Sequence, residues 1–492
     1  MKIKTLQQLE IPSEKNIIFL SPEYSNWQNM LICNQSALQN SHDKSTARSQ
    51  LLQIANVYTS QLQPSCCSQQ KTENLIVTGH QPIWHHPGIL AKNIIAAKFA
   101  RQINGTCIHL VVDHDTGDSD MTLPFSNHDQ MLDFMKTPIE NNLHNVPFEF
   151  RNKPDLKIIN NLISSIAENC PENFCCQLWS EHIKNHPQII SSLKSIADII
   201  TFLQAILNNT LGIEMLYLPT SMMSQSDSFL KFVSSIIENY EKFTYIYNDA
   251  ILKNATHSNF KILDIDSSEK AALPLWLVAA SGIRTCLYAK KIRSSKIIIS
   301  TLSKKLGTLD LTADITQQIK NILTMHQLFL RPKAITMMLF VRLFLSDFFI
   351  HGIGGGLYEK ITDFILDNYY NLKKTDTAIA TATAALPLFK QPPQQYDINT
   401  MNQNIHKIRH NPEKYIDKIL LENNRVKKDI ETKKNMIRHA CDPTKSPQQK
   451  QDAWKNINRI NSRLITYAQP FIQQLEKKIR LAEQFQHTTE VL

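Results

Sequence analysis

Three apolar residues, Leu75 to Val77, run into Thr78-Gly79, and from Pro87 to Arg101 apolar positions return every three or four residues. A second apolar run, CIHLVV, follows at Cys107 to Val112. Strand, helix and strand in so short a span form a βαβ unit, which fixes a right-handed crossover and a parallel strand pair. Further along, EMLYLPT (Glu214 to Thr220) predicts another strand, leading to a helix that starts near Ser226-Asp227. Two more apolar runs, LPLWLVAA (Leu273 to Ala280) and KIIIS (Lys296 to Ser300), are expected to complete the parallel sheet. The apolar stretch from Arg331 to Phe349 reads as a helix running into the glycine cluster HGIGGG.

The flanking regions look different. Residues 1–72 are polar and weakly patterned and are expected to pack on the core as an N-terminal segment. The first half of the core is placed at 73–130, a helical insertion rich in lysine and asparagine at 131–212, and the second half of the core at 213–392. From 393 to 492 the pattern is helical. Ile416, Ile419, Asn423, Val426, Ile430, Lys433 and Ile437 form one 3-4 stripe, and Trp454, Ile457, Asn461, Leu464, Ala468, Phe471 and Leu475 a second. The break CDPTKSPQQ between them predicts an antiparallel helical hairpin or coiled coil, in which polar Asn423, Lys433 and Asn461 fix the register.

Composition refines this picture. A chain of 492 residues with 42% hydrophobic content can bury a substantial core spread over two or three domains. The net charge of +9 is uneven, since Met401 to Leu492 holds 18 Lys+Arg against 10 Asp+Glu. No aromatic residues alternate with the basic ones, so this reads as a solvated helical face and nucleic acid is not an expected partner. Nine cysteines without a CxxC pair indicate reduced thiols. The N-terminal MKIKTLQQLEIPSEK lacks the apolar core of a signal peptide, and AITMMLFVRLFLSDFFI is interrupted by Arg342 and Asp347. A cytoplasmic protein with no membrane segment is therefore expected.

The chemistry concentrates in VTGHQPIWHHPGILAKN, Val77 to Asn93. His80, His85 and His86 lie in the loop entering a helix whose first residue, Pro87, suits that position. Free N–H groups and the positive helix end would make this an anion site, with Lys92 adding a charge. The second strand of the unit is followed at once by Asp113-His114-Asp115. Consecutive parallel strands place their carboxyl ends on one edge, where ligands bind, so both polar clusters are expected to face one crevice. No HxxxH or HExxH spacing is present, so no metal site is assigned. The glycines at 352, 354, 355 and 356 are read as following a helix rather than a strand, which excludes the dinucleotide fingerprint but still implies a close backbone approach, to a ligand or to a neighbouring helix. Arg331 is read either as an anion binder or as half of a salt bridge.

Together these motifs resemble the cysteine-adding enzyme family of bacillithiol biosynthesis. That family has a TGQQ…GPL…K turn, an apolar strand ending in EDHDF, an LRP element, a GGPGE…Y glycine turn and a C-terminal coiled coil. Thr78-Gly79-His80-Gln81, then Pro87-Gly88-Ile89-Leu90 with Lys92, stand at the first turn. Asp113-His114-Asp115 stands at the second, Leu330-Arg331-Pro332 at the third, and Gly354-Gly355-Gly356 with Tyr358 at the fourth. Histidine replaces glutamine at position 80, and no proline follows Gly354-Gly355.

The resemblance implies an α/β fold: a Rossmann-like parallel sheet core with helical insertions and a C-terminal antiparallel α-helical coiled coil that dimerises the chain. It implies a ligase that adds cysteine, or another amino acid, to a small acceptor such as glucosaminyl-malate, with ATP or ADP as nucleotide. Asp113, His114 and Asp115 would be catalytic. Thr78, Gly79, His80, Gln81, His85, His86, Lys92, Arg331, Gly354, Gly355, Gly356 and Tyr358 would bind substrate or anion. The alternative is a non-catalytic dimeric scaffold whose basic coiled coil binds a protein or nucleic-acid partner; a metal-dependent hydrolase is a third reading.

Overall fold

The structure is a computed structural model. It describes residues 2–6, 10, 12, 14–37, 42–62, 73–126, 132–137, 143–169, 174–254, 260–266, 269–372, 375–384, 398–416 and 418–491. The chain divides into two compact units, one made of residues 1–123 and 135–384, the other of residues 124–134 and 385–492.

The strands are β1 (Lys2–Thr5), β2 (Ile17–Ser21), β3 (Leu75–His80), β4 (Thr106–Val111), β5 (Met121–Ser126), β6 (Leu132–Thr137) and β7 (Leu216–Pro219). They continue with β8 (Ala271–Ala279), β9 (Arg284–Arg293), β10 (Lys296–Ser300), β11 (Lys305–Asp310), β12 (Leu328–Pro332), β13 (Phe348–His351) and β14 (Thr377–Thr383). Seven of them form one sheet in the order β1-β2-β14-β13-β3-β4-β7, while β5 and β6 pair separately.

Neighbouring strands from β14 to β7 are parallel, and β2 joins β14 antiparallel. The chain lays down β3, β4 and β7 in one direction, then returns to the other side of β3 for β13 and β14. The order therefore reverses between β3 and β13, the position at which the carboxyl edge of such a sheet opens into a crevice. Both faces of this sheet are covered. Leu75, Val77, Ile108 and Leu110 enter one apolar cluster, while Ile76, Cys107 and Val111 enter the other. Full burial on two sides explains why β3 and β4 read as continuous apolar runs rather than alternating ones.

Several sequence expectations are corrected here. LPLWLVAA and KIIIS do not extend the parallel sheet. They lie in a separate antiparallel sheet, β11-β10-β9-β8-β12. Their connections are too short for a parallel crossover; Gly282, at φ +81°, makes the tight turn between β8 and β9. The stretch from Arg331 to Phe349 is not one helix. Leu328–Pro332 and Phe348–His351 are strands, and only Ala334–Phe344 between them is helical. The break comes at Ser346-Asp347, where the Asp347 carboxylate accepts from the backbone N–H of Leu75 (2.9 Å) and from Arg48. The glycine cluster thus follows a strand and precedes a helix, Glu359–Asn368. Residues 1–72, read as weakly patterned, contribute β1, β2 and the helices Trp27–Ala37 and His42–Leu62.

In the second unit, the helix Asn424–Cys441 turns back into the long helix Pro447–Val491. Val426, Ile460, Leu464, Ala468 and Ile472 pack together with Met401, Ile405 and Ile408. Polar stripe residues have defined partners. Asn423 caps the first helix by accepting from Arg425 and Val426 N–H groups. The buried Lys433 ammonium donates to the His410 carbonyl (2.9 Å) and to Glu413 (2.8 and 3.0 Å), and Asn461 donates to the same carbonyl (3.2 Å).

Candidate functional site

The parallel register pairs His80 with Val111, so the histidine turn and the acidic triplet leave the sheet side by side. They are joined directly: Gln81 Nε2 donates to Asp115 Oδ2 at 2.7 Å, and Val112 N–H donates to the His80 carbonyl at 2.9 Å. Gly79 permits this closeness, because a Cβ there would fall 2.7 Å from Leu110 Cβ. Asp115 also meets Arg284 of β9 (3.4 Å), whose second arm donates to Thr116 Oγ1 at 3.0 Å. Tyr358, just past the glycine cluster, is half-buried, and burial together with the nearby Asp115 raises its hydroxyl above the usual tyrosine range. Gln81, Asp115, Arg284 and Tyr358 therefore gather around one mouth.

Behind that mouth lies a cluster of bases. The Lys92 ammonium reaches back from the helix Pro87–Gln102 to the Gly79 carbonyl at 2.5 Å. Burial lowers Lys92 to about 7. His80 Nδ1 donates to the Gln81 carbonyl (3.1 Å), and burial with the Lys92 charge lowers its pKa to about 3. The His85 ring lies between His80 and His109, with centroids 6.2 and 5.9 Å away. Burial and then neighbouring bases push His85 and His109 well below the ordinary imidazole value. The charges that act most strongly on these three histidines, and on His86, all come from bases.

His86 has a different position. It caps the helix, its Nδ1 accepting from Gly88 N–H at 3.1 Å, while the His86 carbonyl takes the Ile89 and Leu90 N–H groups. The free donors expected at this helix end are therefore already occupied, and only the field of the helix remains there.

The acidic triplet divides. Asp113 is buried and accepts from Thr220 Oγ1 (3.0 Å), Ser221 N–H (2.8 Å) and the Ser221 hydroxyl. Burial and the nearby Glu149 push its carboxyl up to about 7 against those donors. His114 Nδ1 lies 2.6 Å from Thr220 Oγ1, and burial lowers it to about 4. Both residues tie β4 to β7, whereas Asp115 alone faces the mouth, its side chain 41% exposed.

Arg331 is 1% exposed and holds Glu149 bidentately, at 2.8 and 2.7 Å, so its fork is fully engaged. Of the two roles weighed for it, the structure shows the salt bridge. Thr78 donates to the Ile350 carbonyl at 2.9 Å, stitching β3 to β13. In the glycine cluster, Gly356 is buried and Gly355 packs on His351, where a Cβ would fall 2.6 Å from Nδ1; Gly352 and Gly354 border open space. Beneath them His351 pairs with Glu359 (2.5 Å), and Arg342 holds Glu359 and Asp363 (both 2.7 Å). Burial alone would raise Glu359, but His351 and Arg342 outweigh it and hold the carboxyl at about 2.

Sequence reasoning missed four residues here: Asn93, His109, Arg284 and His351. His109 had a signal, being the one imidazole inside the apolar strand TCIHLV. Asn93 had a weaker one, an amide among the buried positions of its helix. Arg284 had none, because its place depends on how the second sheet packs.

Among the described residues, no group of three or more His, Cys, Asp or Glu is arranged to hold a metal. No described helix is long and apolar enough to cross a membrane. Comparison with protein-family models gives no match, and comparison with curated proteins gives none either.

Proposed function

We propose that the chain is a carbon–nitrogen ligase with a Rossmann-like core, adding cysteine or another amino acid to a small anionic acceptor such as glucosaminyl-malate. The observation that carries this reading is the Gln81–Asp115 bridge, which joins a cluster of bases to an exposed carboxylate across the carboxyl ends of β3 and β4, one strand from the point of strand-order reversal. Lys92 would supply positive charge and the neutral His80 and His85 hydrogen bonds to the anionic substrate, in a site shielded from water where such interactions are strongest. Asp115, held by Gln81 and Arg284, would orient the attacking amine and accept its proton. Asp113 and His114 would act as positioning residues that fix the end of β4.

Where ATP or ADP is used, Gly352 and Gly354, which border open space, would hold its phosphate chain together with Tyr358. ATP would supply the activation that an amide bond requires by giving the carboxylate a phosphoryl or adenylyl group, which would leave as phosphate or AMP when the amine attacks. The helical pair of the second unit would form a coiled coil and dimerise the chain.

The test is direct. Purified protein incubated with ATP, cysteine and glucosaminyl-malate should yield a new thiol-containing product by mass spectrometry, and no product from folded protein removes this specific assignment. The scaffold reading rests on the excess of 18 Lys+Arg over 10 Asp+Glu in Met401 to Leu492. It would gain if nucleotides and polycarboxylic acids left the melting temperature unchanged while RNA or a protein partner bound tightly.

A further inference from the structure

His109 is 3% exposed and Asn93 is fully buried, and neither has a role in the reading above. Nδ1 of His109, both amide atoms of Asn93 and Nε2 of His85 are enclosed without a hydrogen-bond partner. Most buried polar groups of a folded chain are paired, since an unpaired one has lost its water without replacement. His85 and His109 lie with ring centroids 5.9 Å apart and Asn93 sits on the helix packed against β4, so these four unpaired atoms together point to an unmet need for a polar group.

The chemistry of the lining narrows the occupant. Two imidazoles and an amide can donate to such a group, and the charges acting on His85 and His109 all come from bases. Nothing acidic in the cluster competes for those donors. A group rich in acceptors and carrying negative charge fits. Solvent reaches the loop above, since His80 and His85 are half-buried as residues, while the His85 Nε2 atom is enclosed.

We infer that His85, Asn93 and His109 line a closed subsite for the innermost oxygens of an oxyanion, a phosphate or a carboxylate, beneath the loop from Gln81 to His86. This rests on the crevice being an anion site and extends it inward to two residues that no motif marks. A neutral imidazole serves as well as a charged one here, because its N–H can donate to the anion without carrying a buried charge into the empty site.

The test is calorimetric titration of the full-length protein with inorganic phosphate and, separately, with citrate. The wild type should bind at least one of them, and which one shows whether the subsite takes phosphate or carboxylate. His109→Leu and Asn93→Leu should each weaken that binding about tenfold or more, as loss of a hydrogen bond to a charged group does. Their melting temperatures should not fall, because an unpaired polar group has been replaced by an apolar one of similar size. If both variants bind the anions as the wild type does, the space holds only water and the inference fails; it fails equally if the wild type binds neither anion.

Should the variants not fold, imidazole nitrogen resonances of the wild type provide the second measurement. Those of His85 and His109 should move on adding phosphate or citrate, and unmoved resonances overturn the assignment. The outcome is separable from the ligase reading. Anion binding that depends on His109 without any ligated product leaves the subsite standing alone, whereas product formation with unchanged anion affinity in both variants removes only the subsite.

Discussion

Two buried polar clusters meet at the carboxyl end of β4, and they are built on opposite rules. Around Asp113 every group has a partner: Thr220 and Ser221 hold the carboxylate, and Arg331 holds Glu149 with both arms of its fork. Around Lys92 the ammonium has a single carbonyl, and His85, His109 and Asn93 keep unpaired atoms. A closed network of opposite charges fixes geometry and leaves nothing over for a ligand. A cluster of one sign with free donors is costly while empty and improves when an anion arrives. The buried Lys433 of the second unit shows the same contrast, since it has Glu413 and the His410 carbonyl as partners and needs no ligand. Burial of a charged side chain therefore does not indicate a binding site by itself; the state of its partners does.

The comparison breaks most readily at Arg331. Arg331→Met leaves the Glu149 carboxylate buried without its counterion and should destabilise the fold by about 3–5 kcal/mol, read by chemical denaturation. Anion affinity of the protein that remains folded should not change. Lys92→Met is expected to behave in reverse. It removes a buried amine that burial has already lowered to about 7, so stability should hold or rise. Anion affinity should fall about 10- to 100-fold by titration calorimetry, the loss of one charge-assisted hydrogen bond. A Lys92→Met protein that loses stability but keeps its anion affinity would move Lys92 into the structural class with Arg331.

Acidity separates the two clusters by sign. The bases have folded values below their unfolded ones, His80 at about 3 against 6.5, so the unfolded chain binds more protons and stability is lost as pH falls from about 6.5. Asp113 is the reverse: at about 7 against 3.8, the native carboxyl keeps its proton longer, and its contribution is lost as pH rises through that window. Melting temperature measured from pH 7 to 4 should therefore fall on the acid side in the wild type. Phosphate should restore part of that fall, and less of it in His109→Leu. Asp113→Asn should gain relative to the wild type between pH 5 and 8. Identical pH profiles with and without phosphate would argue against an anion among the histidines.

How far the sequence disclosed this arrangement depended on whether the signal was local. The βαβ unit was legible because its period, its Pro87 start and its apolar runs all lie within one stretch of chain. The pairing of the histidine turn with Asp115 followed from parallel-strand geometry alone, which needs no side-chain knowledge. The strand Phe348–His351 was read into a helix for a physical reason. Apolar residues dominate it as they do a buried helix, and short apolar runs do not separate the two. The loop lengths around β8, β9 and β10 did carry the antiparallel answer. The engagement of Arg331 by Glu149 was not legible, since 182 positions separate them and only the tertiary fold brings them together.

The smallest expected effect concerns His86, which sequence grouping placed with His80 and His85. In the structure its Nδ1 accepts from Gly88 N–H, the ordinary task of a helix N-cap. His86→Asn preserves that acceptor and should leave both stability and phosphate affinity near wild type. His86→Ala removes it and should cost about 1 kcal/mol in denaturation, again with little change in phosphate affinity. His85→Ala should do the opposite and lower phosphate affinity. If His86→Asn weakened phosphate binding as much as His85→Ala, the cap would belong to the anion cluster, and the line drawn between structural and ligand-facing histidines would have to move by one residue.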